Sequence, residues 1–479
     1  MLEDVRAYSG VILDEGNEWV RLAKMIPWDE FEKEYAATFT GEATGRVGKS
    51  ARMALGTLLI KERYQFSDED IVKEVQMNPY LQHFIGMTEF THKAPYDAST
   101  ITLFRKRVTP EMLIRVNDSI LGLKRQEEKE RKPPGDAPWV GDKQNDQPED
   151  EENQGTLILD ATCAPQSIRY PTDISLLNEA RELLEKMVTV GYKSGGWEEK
   201  PRTYCRTARK DYLRYARNRK PSLKQLRKSL KQQLGYVARD IGYIQALLGS
   251  KGQMLPEHMM VQFQTICQLY EQQREMYQTK THRVENRIVS IHQPWVRPIV
   301  RGKATAAVEF GAKIEVALYK GYARVEDLRW DAFNEGGTLQ ASVERYKDAT
   351  GFYPVRILTD KLFRTRDNLQ YCKDRGIHLN GPKLGRPPKD LTLYREQRRQ
   401  EREESSERNA IESTFGVGKR RYALGHITMK LQHTSEVAIL LVFLSMNLQK
   451  RLRSLLCAFC LHWFSMPPFS IFLEACFAS

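Results

Sequence analysis

The rhythm of apolar positions divides this chain into segments. Over residues 50–86, SARMALGTLLIKERYQFSDEDIVKEVQMNPYLQHFIG, the rhythm is helical, with Met53, Leu55, Leu58, Leu59 and Ile60 forming a core face. Ser67 lies three residues before Asp70, a capping-box-like spacing, and Ile71, Val72, Val75 and Leu81 carry the apolar positions onward. A further helix is expected from DASTITLFRKRV, capped by Ser99 or Thr100 and ending in a basic stretch from Arg105 to Arg107. Short helices of this kind suit a helix-turn-helix-like DNA reader or a small all-α dimerisation module. Residues 1–124 are assigned to that helical N-terminal domain. Residues 125–154 are charged, rich in Pro and Gly and poor in aliphatic side chains, which is the composition of a flexible linker.

Beyond the linker the texture changes. TLILDATCA (156–164) is a short apolar run of strand type, and PVRILTDKLF (354–363) repeats it far downstream. Between them AVEFGAKIEVALYKGYARVEDLRW (307–330) alternates as two or three strands, with a glycine turn near residue 321. Helices are expected at about 338–349 and 365–375, followed by a short strand in IHLNGP. Strands followed by alternating helix and strand predict an α/β domain with a mixed sheet, spanning 155–450. Residues 174–290 read as a helical insertion within it. The run VAILLVFL (437–444) is too short to span a bilayer and fits a buried helix. Residues 451–479 form an apolar tail with no assigned role, and no signal peptide is expected from MLEDVRAYSG.

Charge narrows the choice of partner. A formal net charge of +12 over 479 residues points to a polyanion, nucleic acid or an anionic membrane. The segment 200–231 concentrates that charge: 13 Lys or Arg against one acid, Asp211, with Tyr204, Tyr212 and Tyr215 interleaved. Cations with aromatics between them fit phosphate contact and base stacking, and Arg206, Arg209, Lys210, Arg214 and Arg217 are candidate DNA contacts. The seven scattered cysteines do not form a disulfide framework. Cys457 and Cys460 lack a second pair for structural zinc, and no histidine spacing suits a metal. No Gly-Lys-Ser/Thr phosphate loop is present.

Two strands that each end in aspartate, followed by a helix bearing Glu412, suggest a carboxylate cluster. Neighbouring strands lie about 4.8 Å apart, so Asp160 and Asp360 at matching levels would share divalent metal ions. Packed carboxylates repel, and hard Mg²⁺ with its preference for oxygen ligands reverses that balance. On the Glu412 helix, Arg408 lies four residues before the glutamate and Lys419 seven after, all on one face.

LILDATCAPQSIRYPTD, VRPIVRGKA, ILTDKLFRTRDN, GPKLGRP and RNAIESTFGVGKRRYALG together resemble bacterial insertion-sequence transposases of the DDE superfamily. ALGTLLIKERYQFSDEDIVKEVQMNPYLQHFIG is similar to the helical N-terminal domain of one branch of them. The resemblance covers most of residues 20–450, in order. It implies an RNase H-like mixed sheet flanked by helices, with a helical insertion and a separate all-α N-terminal domain. Asp160 would stand on the first strand and Asp360 on the fourth, adjacent and parallel, with Glu412 on a later helix, together holding Mg²⁺ or Mn²⁺.

A related branch carries the signature Tyr-x2-Arg-x3-Glu-x6-Lys. Here Arg408, Glu412 and Lys419 take three of those places and Ser405 takes that of the tyrosine. Arg408 and Lys419 would then hold DNA backbone phosphates, with Arg420 and Arg421 beside them and Arg297, Arg301 and Lys303 at the mouth of the sheet. The implied activity is metal-dependent endonucleolytic cleavage at terminal inverted repeats of double-stranded DNA and strand transfer into target DNA. It would be carried out by a homodimer or higher assembly on the nucleoid of a bacterial cytoplasm, with no membrane role. A nuclease without strand transfer, or a catalytically inactive DNA-binding descendant, are the alternatives.

Overall fold

The computed structural model describes residues 12–39, 48–123, 152–195, 197–251, 255–300, 308–382 and 390–464. Seven helices come first: α1 (Glu18–Met25), α2 (Trp28–Ala36), α3 (Ala51–Tyr64), α4 (Asp68–Met77), α5 (Pro79–Phe84), α6 (Ala98–Arg107) and α7 (Pro110–Leu121). Their ends are set by local chemistry. Ser50 accepts from Met53 N, Ser67 from Asp70 N and Thr109 from Met112 N, each satisfying an amide that the first helical turn leaves unpaired. Pro110 opens α7, and Gly122, at φ +68°, closes it. Contrary to the expected cap at Ser99 or Thr100, α6 starts from Asp97 in extended conformation, without a side-chain cap, and Ser99 and Thr100 lie inside the helix.

The sheet has six strands: β1 (Thr156–Pro165), β2 (Arg297–Val300), β3 (Val308–Tyr319), β4 (Tyr322–Arg329), β5 (Arg356–Leu358) and β6 (His378–Leu379). β3 pairs antiparallel with β1 along one edge, and with β2 and then β4 along the other. β5 and β6 add in parallel beyond β1. The sheet is therefore mixed, as its sequence pattern predicts. The β3–β4 hairpin turns through Lys320 and Gly321, both at positive φ (+50° and +81°), the conformation of a two-residue turn that matches strand twist. β2, within VRPIV, is a strand that the apolar pattern did not suggest; it is four residues long and sits at the sheet edge. Where β3 passes the end of β1, a side chain at Gly311 would lie 2.0 Å from the Ala164 carbonyl oxygen, so only glycine permits this pairing.

Between β1 and β2 the chain forms α8 (Asp173–Lys193), α9 (Cys205–Ala216), α10 (Leu223–Lys251) and α11 (Glu257–Thr279), which bury a core of their own around Leu177, Leu184, Val237, Ile244, Ile266 and Leu269. The segment expected to be helical over 174–290 is largely so, and its last helix ends at Thr279. α12 (Leu339–Thr350) and α13 (Arg366–Asp374) cover one face of the sheet, against Leu157, Leu159, Ala317 and Ile357. The other face, through Ala164, Ile314, Val316 and Leu318, meets α14 (Leu391–Arg421) and α15 (Gln432–Phe464).

α15 contains the VAILLVFL run, and Val437, Ile439, Val442 and Leu444 are fully buried in it. Among the described residues no helix is long and apolar enough to cross a membrane. The N-terminal helices belong to the same continuous core as this sheet face. Asn447 of α15 accepts from Ala323 N at 2.9 Å, and donates to Ala323 O and to Asn117 Oδ1 of α7. Arg324 adds a bidentate pair with Asp118, at 2.7 and 3.0 Å. Helical layer and sheet are thus tied by buried polar groups as well as by apolar contact.

Candidate active site

The parallel pairing of β1 and β5 fixes the relation between the two aspartates. The paired register ends at Ile158 and Leu358, and Asp160 and Asp360 each follow two residues later, so both leave the same end of adjacent strands. β1 continues straight through Asp160, which pairs across to Val316 of β3. β5 ends at Leu358, and Asp360 caps the 3-10 turn Lys361–Phe363, accepting from Lys361 N at 2.6 Å. The second aspartate lies near enough to the first for its charge to raise the Asp160 carboxyl.

α14 crosses these strand ends, anchored by buried Ile411 and Phe415. Glu412 is exposed beside that anchor, and Arg408 lies one turn earlier. The Arg408 guanidinium spans two carboxylates: Nη1 donates to Asp160 Oδ2 at 3.3 Å and Nη2 to Glu412 Oε1 at 2.7 Å. Ser405 is exposed. Lys419 is partly buried, and Arg420 and Arg421 are exposed at the end of α14, at the negative end of its dipole.

Asp160 is only 16% exposed, and burial pushes its carboxyl up to about 6; the Ala161 amide and Arg408 oppose that rise, while Glu335 and Asp360 add to it. Glu335 was not singled out from the sequence. It follows β4 in the 3-10 turn Glu335–Gly337, which packs against the turn after Asp360, and Asn368 Nδ2 donates to Gly336 O at 2.7 Å. Lys313 of β3 pairs with Glu335 at 2.8 Å. In sequence the stretch NEGG reads as a turn, and only the tertiary packing brings its acid near Asp160.

Among the described residues no three His, Cys, Asp or Glu side chains converge into a ready metal cluster. The donor chemistry nevertheless suits a hard divalent cation: the groups here are carboxylates, and the negative charge gathered about largely buried Asp160 is what such a cation relieves.

The remaining candidates separate. Arg206, Arg209, Lys210, Arg214 and Arg217 are exposed on and just after α9. Arg214 is drawn to Asp211 at 3.3 Å, and α9 touches the chain leaving β1, where Arg169 Nη2 donates to the Tyr212 hydroxyl at 3.3 Å. Arg297 turns inward: it donates to Pro294 O and Val296 O and lies 3.4 Å from Asp331. Arg301 and Lys303 lie outside the described residues, as does most of the 125–154 linker.

A family model described as "Transposase DDE domain" matches residues 357–449, a stretch that holds Asp360, Arg408, Glu412 and Lys419. A second, "Transposase domain (DUF772)", matches residues 9–107, the helical N-terminal region. A curated relative from Rhizobium meliloti, "Uncharacterized protein ORF8 in nfe locus", is 31% identical over 179 residues, covering 36% of this chain and 73% of the relative. No solved structure matches. The chain belongs to the insertion-sequence DDE transposases, a family of nucleic-acid-processing enzymes.

Proposed function

We propose that the protein cleaves DNA at the terminal inverted repeats of its own element and joins the freed 3′ ends to target DNA, using Asp160, Asp360 and Glu412 with Mg²⁺ or Mn²⁺. The observation that carries this reading is that Asp160 and Asp360 lie close together at the same end of adjacent parallel strands, with Glu412 linked to Asp160 through Arg408 on the helix that crosses them. The strand order also supports an RNase H-like fold: three antiparallel strands, with two more added in parallel beside the first.

Asp160 and Asp360 would hold the cation and Glu412 would complete its shell. When bound, the cation would activate the attacking oxygen and offset charge on the leaving oxygen of the phosphodiester. Arg408 and Lys419 would draw the backbone of the strand to be cut against the strand ends, because guanidinium and phosphate pair bidentately. Exposed cations on α9 would hold duplex beside the exit of β1. The N-terminal helices, docked on the sheet through Asn117 and Asn447, would recognise the ends and bring two copies together.

Supplying pre-cut ends with a target plasmid tests the assignment. Joined products that require a divalent metal support a transposase. Metal-dependent degradation without joining would leave a nuclease on the same fold, and binding without either reaction would leave a DNA-binding descendant.

A further inference from the structure

Arg408 does more in this structure than wait for a phosphate. Its two terminal nitrogens go to two different carboxylates, 3.3 Å to Asp160 Oδ2 and 2.7 Å to Glu412 Oε1, and its side chain is 19% exposed. The helix that carries it is held by Ile411 and Phe415, so the bridge rests on a rigid base. Lys313, beside Glu335, is engaged by that carboxylate and by the Phe333 carbonyl, and Arg356, which links β1 to α14, is engaged by Thr156 and Glu407. Arg408 is the cation that bonds Asp160 and Glu412.

A divalent cation and this guanidinium compete for Asp160 Oδ2, because Oδ1 already accepts from the Ala161 amide at 2.8 Å, and their like charges repel beside the same two carboxylates. Mg²⁺ sits about 2.1 Å from its ligand oxygens, which leaves no room for N–H donors at the same lone pairs. The arginine side chain is long enough to leave without moving α14, and a DNA phosphate offers it two acceptors in the geometry it prefers. We infer that Arg408 is a placeholder cation which holds Asp160 and Glu412 until DNA draws it away, so that metal and DNA bind cooperatively. The inference rests on the reading that these carboxylates hold the metal. Its consequence is reciprocal: DNA raises metal affinity by the factor by which metal raises DNA affinity. The arrangement keeps the site from loading metal, and so from cutting, before an end is in place.

Mn²⁺ binding to the full chain, followed by the electron paramagnetic resonance signal of free Mn²⁺, tests this without any turnover. The wild type is expected to bind Mn²⁺ at this site weakly alone and about 10-fold or more tighter with a duplex cut from the element's end, within the usual range of coupling. Arg408→Gln should bind Mn²⁺ tightly without DNA and gain little from the duplex. Arg408→Lys, which keeps the charge but cannot reach both carboxylates, should behave like the glutamine variant. Equal Mn²⁺ affinity of wild type and both variants in the absence of DNA overturns the placeholder. Asp160→Asn and Glu412→Gln, each combined with Arg408→Gln, separate the two claims: both should lose the site, and undiminished Mn²⁺ binding in them overturns the metal-site reading itself.

Discussion

Asp160 and Asp360, 200 residues apart in sequence, lie at the same end of two parallel neighbouring strands, each two residues beyond the pair Ile158 and Leu358. Because side chains alternate along a strand, a slip of one residue would turn one aspartate to the other face. Gly311 protects this register, since a side chain there would strike the Ala164 carbonyl and part β3 from β1. Gly311→Ala is expected to destabilise the fold by about 3 kcal/mol or more, the scale of a backbone clash that neighbours cannot relieve. Chemical denaturation of the two proteins measures it.

The basic helix α9 is positioned from beneath. Arg239 donates to Asp240 Oδ1 at 3.0 Å and to Thr203 O, and lies over the Tyr204 ring at the helix start. Asp240 is fully buried with Oδ2 unpartnered, and burial raises its carboxyl to about 6, with Arg239 opposing. A carboxyl whose value is raised on folding stabilises the native state when protonated. That contribution is present below the unfolded value near 3.8 and is lost as pH rises through about 6. Asp240→Asn should therefore stabilise the protein at pH 8, by up to about 3 kcal/mol, and make little difference at pH 4. Unfolding midpoints at the two pH values show whether it does.

Exposed cations on α9 should account for part of the salt dependence of DNA binding. Replacing Arg206, Arg209, Lys210 and Arg217 with glutamine is expected to flatten the plot of log affinity against log salt, by about 0.9 for each duplex phosphate no longer neutralised. Fluorescence anisotropy over a salt series reads the slope. An unchanged slope removes α9 from the interface.

The junction of the N-terminal helices with the sheet depends on Asn447. Asn447→Ala leaves the Ala323 amide and Asn117 without their buried partner, and should cost about 1–3 kcal/mol. Hydrogen exchange should rise in α7 and β4 ahead of the rest of the sheet.

How far the sequence anticipates this arrangement depends on whether the cause is local. The two aspartate strands, the turn at Lys320–Gly321 and the Ser67 cap follow from short-range patterns, and the structure contains them. β2 is missed because a four-residue edge strand with proline at its second position has no apolar alternation to announce it. Glu335 and the destination of Arg408 depend on packing between segments far apart: helical spacing predicts that Arg408 meets Glu412, but not that it also reaches Asp160 across 248 residues. Arg297 looks like a surface cation in the sequence, yet carbonyls of the turn before it engage its guanidinium.

Asp160, Asp360 and Glu412 are proposed to form one metal-dependent site. Its most direct test is nicking of DNA carrying the element's terminal repeats, by wild type and by Asp160→Asn, Asp360→Asn and Glu412→Gln, with and without Mg²⁺. Wild type is expected to nick only with metal, and each variant to lose nicking by at least about 100-fold while DNA binding persists. Nicking that survives any one of the three substitutions would contradict it.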